Sequence, residues 1–129
     1  MDKWLVEPLK SVKGIAFGEN RETARKLMGG EYTEFKKSRY SSNTSDDFGC
    51  CHIFYDGDNK VEAVEIFSDV EVVISGKSVF PDGLDDLKAL IPDLKDEGGS
   101  FISEKSSVGV TMDGRNMDAI LFGCPNYYN

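Results

Sequence analysis

The sequence predicts an α+β fold: a mostly antiparallel, meandering β-sheet with two short-to-medium helices packed on one face. Three observations lead there. β-Rich segments flank two Asp-Gly turns, "DGDN" and "DGRN", as consecutive hairpins do. Two segments space their apolar residues at helical intervals. The order of strand, helix, several strands, helix and terminal hairpin lacks the strand–helix alternation of parallel doubly wound folds.

In chain order, "SVKGIAFG" (11–18) reads as a short strand and "ENRETARKLMGG" (19–30) as a helix. Asn20 is its cap, Ala24, Leu27 and Met28 share one face, and Gly29 and Gly30 end it. Arg21 and Arg25, one turn apart, read as a solvated face partly neutralised by Glu19 and Glu22. "EYTEFKKS" (31–38) sets Tyr32 and Phe35 among charges, as in a partly exposed strand. The polar run "SRYSSNTSDD" (38–47) suits a loop, with Asp46 and Asp47 as exposed charge and with little apolar surface to lose. "FGCCHIFY" (48–55), "KVEAVEIF" (60–67) and "VEVVISGK" (70–77) follow as consecutive antiparallel strands. "LDDLKALIPDL" (84–94) aligns Leu84, Leu87, Leu90 and Ile91 on a core-facing stripe, with Asp82 as cap and Pro92 as breaker. Two last β-rich stretches surround "DGRN", and the tail "NYYN" ends beside the sheet.

The stretch "GCCHIFYDGD" (49–58) holds two of three cysteines and the only histidine. Strand periodicity sends Cys50, His52 and Phe54 to one face and Cys51, Ile53 and Tyr55 to the other. Cys51 and His52 then point apart. Cys50 and His52 lie about 6.5 Å apart along the strand, beyond a thiol–imidazole hydrogen bond. Neither C-x-x-C nor H-x-x-x-H spacing is present for zinc, and the odd cysteine count, with Cys124 as the third, predicts reduced thiols. "DGDNKVE" offers Asp56, Asp58 and Asn59, but a calcium loop needs its glycine sixth, whereas Gly57 is second between strands, as in a hairpin turn. "GIAFGENRETARKLMGG" fits neither G-x-G-x-x-G nor the P-loop pattern. No catalytic residue, metal site or cofactor is predicted.

Charge is the more informative property. Twenty-three acids against fifteen Lys and Arg leave −8, which repels nucleic acid and anionic membranes and attracts cationic partners. The segment from Asp82 to Glu97, expected to be largely helical, concentrates Asp82, Asp85, Asp86, Asp93, Asp96 and Glu97 against Lys88 and Lys95. These residues read either as a solvated helix face complementing the N-terminal dipole or as a docking face for a basic protein. "VEVVI" is too short to cross a bilayer, and "MDKWLVEPLK" lacks a signal peptide's pattern, so the expectation is a cytosolic chain folding as one compact domain over 1–129. None of these features sets the oligomeric state.

Residues 14–77, through "GIAFGENRETARKLMGG" and "DDFGCCHIFYDGDNKVEAVEIFSDVEVVISGK", resemble a group of small bacterial cytosolic proteins. These open with a similar glycine- and arginine-marked helix segment and continue into a "YD…KVEAIE"-like hairpin. Many look like the immunity partners of polymorphic or contact-dependent growth inhibition toxins. The resemblance implies a toxin-neutralising binding protein that docks on a cognate basic toxin, such as a nuclease, and occludes it without turnover. Immunity proteins diverge widely, so no contact residue is carried over from the group. The alternative expectation is a small-molecule-binding domain or minor enzyme using the sheet face near Cys50, His52 and Glu65, and a third is a structural adaptor.

Overall fold

The computed structural model describes residues 1–129, arranged as thirteen strands and two helices. The strands are β1 (Asp2–Glu7), β2 (Ser11–Val12), β3 (Ile15–Ala16), β4 (Thr33–Phe35), β5 (Ser45–Asp47), β6 (Cys51–Tyr55), β7 (Val61–Ile66), β8 (Val70–Ile74), β9 (Lys77–Phe80), β10 (Lys95–Asp96), β11 (Ser100–Ser103), β12 (Val108–Asp113) and β13 (Asn116–Gly123). The helices are α1 (Arg21–Met28) and α2 (Leu84–Leu90). This is an α+β fold with mostly antiparallel pairing.

The strands divide between two sheets: a five-stranded one in the order β3-β2-β1-β8-β9 and an eight-stranded one in the order β10-β11-β12-β13-β7-β6-β5-β4. Two sequence expectations change here. "VEVVISGK" does not extend the hairpin before it, because β8 crosses to the smaller sheet and pairs parallel to β1, Trp4 opposite Val72. Its alternating apolar residues determine which face is buried but say nothing of the partner strand. "SVKGIAFG" is two strands, since Lys13 and Gly14 both take positive φ (54° and 78°) and fold β2 back on β3 through a two-residue turn.

One cluster of 23 buried residues joins the inner faces of both sheets. Trp4, Val6, Val72 and Ile74 come from the smaller sheet, and Ile53, Val64, Ile66, Val110, Ile120 and Phe122 from the larger. The β-branched side chains suit the pleated, half-buried surface of both. Helix α1 begins at the expected cap, Asn20 Oδ1 accepting from Thr23 N at 2.9 Å, and ends at Gly29 with φ 67°. It adds Ala24 to the core, and α2 adds Leu87 and the following Ile91.

Asp82 is not the cap of α2. Gly83 takes that place without any side-chain cap bond, and a Cβ on it would collide with the backbone of Ser78 and Val79. Close passage of β9 therefore selects glycine where capping chemistry alone would select aspartate. The polar run is not all loop either, because Ser45–Asp47 is a strand of the larger sheet.

Candidate functional site

The acidic residues singled out in the sequence do not form one surface, because α2 stops at Leu90 and β10 starts at Lys95. Asp82, Asp85 and Asp86 are exposed and converge on a cleft of about 500 Å³, where Arg115 of the β12–β13 turn is the only cation. Asp93 and Glu97 line a different cleft of about 530 Å³, shared with Lys95, Glu104 and Lys105. Asp93 is half-buried and accepts a hydrogen bond from Ser103 Oγ at 2.8 Å, so part of its charge serves the fold. Asp96 faces a third cleft, beside Phe101 and Met112. Asp82, Asp85 and Asp86 are thus the largest group of the set to line one cleft.

The expectation of exposed charge fails at Asp46, Arg21 and Arg25. Asp46 pairs with Ile53 across β5 and β6, which puts it on the core-facing side of the larger sheet with its side chain fully buried. Arg21 and Arg25 come down on it from α1. Arg21 donates from NH2 to Asp46 Oδ1 at 2.8 Å, and Arg25 donates from Nε to Oδ2 and from NH2 to Oδ1, both at 2.9 Å. Tyr55 OH donates to Oδ2 at 2.7 Å. Each guanidinium also lies over an aromatic ring, Arg21 over Tyr55 at 4.4 Å and Arg25 over Tyr32 at 4.3 Å. Burial pushes the Asp46 carboxyl up, but the bonds from Arg25, Arg21 and Tyr55 outweigh it and hold the group below the usual aspartate range. Burial, then the bond to Asp46, pushes the Tyr55 phenol up.

The next residue, Asp47, faces the other way. It pairs with His52, His52 with Glu65, Glu65 with Leu121, Leu121 with Gly109, and Gly109 with Ile102. One row of side chains therefore crosses the outer face of the larger sheet. His52 stands mid-row, 26% exposed, with Nε2 3.7 Å from Asp47 and Nδ1 3.7 Å from Glu65. Phe35 and Phe67 flank its ring at centroid distances of 4.6 and 4.8 Å. The chain's C-terminal tail crosses the same face. Tyr127 fills the space over Gly123, Tyr128 fills the space over Gly109, and Lys37 Nζ donates to Tyr127 OH at 2.7 Å.

Cys51 and His52 do point apart: Cys51 is in the core, His52 on the outer face. Cys50 departs from the expected alternation, because it precedes β6 and packs against the core cluster rather than beside His52. Of the alternative site, only His52 and Glu65 are neighbours. No three His, Cys, Asp or Glu side chains converge as a metal ligand set. No helix is long and apolar enough to cross a membrane. Neither a family model, a curated protein nor a solved structure matches the chain.

Sequence reasoning missed the outer-face row apart from His52 and Glu65. Alternation within "CCHIFY" and "VEAVEIF" puts His52 and Glu65 on solvent-facing positions, but Asp47 joins their row, and Phe35, opposite Ser45, the same face, only through cross-strand register.

Proposed function

We propose that the chain is a toxin-neutralising immunity protein, which acts in the cytosol by binding a cognate basic toxin and occluding it. The observation that carries this reading is the exposed Asp82, Asp85 and Asp86 trio around one cleft in a chain of net charge −8. Complementary charge of this kind speeds encounter and rejects acidic partners. A nuclease fits as the target, because an enzyme that grips a polyanion presents a basic surface. The resemblance of residues 14–77 to immunity proteins supports the same reading.

The test is a calorimetric titration with the purified product of the adjacent reading frame. Binding at 1:1 is expected, weaker by about tenfold or more when Asp85→Lys and Asp86→Lys are combined, since repulsion then replaces attraction at surface positions. Unchanged affinity in that variant moves the contact away from α2. No binding, in a gene neighbourhood of metabolic enzymes, contradicts the reading and favours small-molecule recognition.

A further inference from the structure

Adjacent residues of β5 carry the argument. Asp46, on the inner face, is a carboxylate set among aromatic rings, and the space around it holds two arginines that pair with it and stack on Tyr55 and Tyr32. Asp47, on the outer face, has no arginine partner: its Oδ1 accepts from Gly49 N at 2.8 Å and its Oδ2 lies 3.7 Å from His52 Nε2. Its carboxylate and that of Glu65 stand on either side of His52, which Phe35 and Phe67 flank. Asp47 and Glu65 side chains are 38% and 32% exposed, so both remain open to a cation from outside. Lys37, a basic side chain on this face, is engaged with the rings of Phe54 and Tyr127 and with the Tyr127 hydroxyl.

We propose that this outer face, centred on Asp47, His52 and Glu65, is an arginine-reading surface that docks a basic segment of the partner protein. The assignment rests on the reading of the chain as a binder of basic proteins and names a second contact face for it. Charge complementarity determines the occupant: a guanidinium pairs with a carboxylate through its planar fork while its own plane lies on an aromatic ring, as Arg25 of α1 already does at Asp46. A lysine ammonium gains the charge but not the bidentate fit, so arginine should be preferred.

Amide-resolved NMR titration with hexa-arginine and hexa-lysine peptides tests this without knowledge of the partner. Hexa-arginine is expected to shift the amides of Asp47, His52, Glu65 and Phe67, to bind more tightly than hexa-lysine, and to lose about tenfold in affinity in Asp47→Asn/Glu65→Gln. The Asp85→Lys/Asp86→Lys variant should keep the shifts at the outer face. Shifts confined to residues 82–97, or equal affinity in parent and Asp47→Asn/Glu65→Gln, overturn this surface and leave the binding of basic proteins standing. No shift with either peptide overturns both.

Discussion

Replacing Asp46 by alanine leaves Arg21 and Arg25 facing one another across a buried gap with their common carboxylate gone. Removing one partner of a buried ion pair costs about 3–5 kcal/mol, so urea melts of Asp46→Ala should fall by about that amount. Its pH dependence has a definite sign. A carboxyl held below its unfolded value contributes stability that is fully present above the unfolded pKa, about 3.9, and is lost as pH falls through the lower folded value. The gap in stability between parent and Asp46→Asn should therefore narrow as melts move from about pH 5 towards pH 2. A constant gap would mean that the bonds to Asp46 do not depress its pKa. The sequence showed that Arg21 and Arg25 share a helix face. It did not show their partner, because Asp46 sits in a polar run whose composition looks like a loop, and only the pairing of Asp46 with Ile53 turns it inward.

Helix α2 shows what periodicity can give. Leu87 was placed on the core side by its spacing with Leu84, Leu90 and Ile91, and it is fully buried. Leu87→Ala should cost about 2–4 kcal/mol in thermal or urea melts, through lost burial plus the cavity left behind. A melt like the parent's would contradict the packing of α2. Sparse apolar surface led to the expectation that the fold resists losing "SSNTSD" (41–46) better than losing the helix after Pro81, yet the run makes bonds that composition does not show. Asn43 Nδ2 donates to Asp56 O at 2.6 Å, Thr44 takes bonds from Arg21 to its carbonyl and hydroxyl oxygens, and Asp46 is the buried carboxylate. Deleting residues 41–46 should lower the melting temperature more than Leu87→Ala does. Hairpins marked by Asp-Gly turns and the helix capped by Asn20 were legible because their signals are local. The parallel pairing of β8 with β1 was not, since nothing within "VEVVI" distinguishes a neighbour in sequence from a strand whose paired residues lie 68 positions earlier.

Across the whole molecule, the two carboxylate surfaces and the net charge of −8 predict an association whose on-rate falls steeply with ionic strength while the off-rate changes less. Stopped-flow association at rising salt checks this, and a flat on-rate would mean that charge does not steer the encounter. The sign and concentration of charge were legible in composition. Its division into an α2 cleft and an outer sheet face was not, because helix termination at Leu90 and cross-strand register determine where each carboxylate stands. The most direct measurement of the central claim is growth of cells that co-express the chain with the adjacent reading frame's product. Neutralisation predicts growth with the parent chain and loss of growth when Asp85→Lys/Asp86→Lys is combined with Asp47→Asn/Glu65→Gln in a protein that still melts like the parent. A toxic product that the parent chain fails to restrain, although both proteins are folded and expressed, would contradict it.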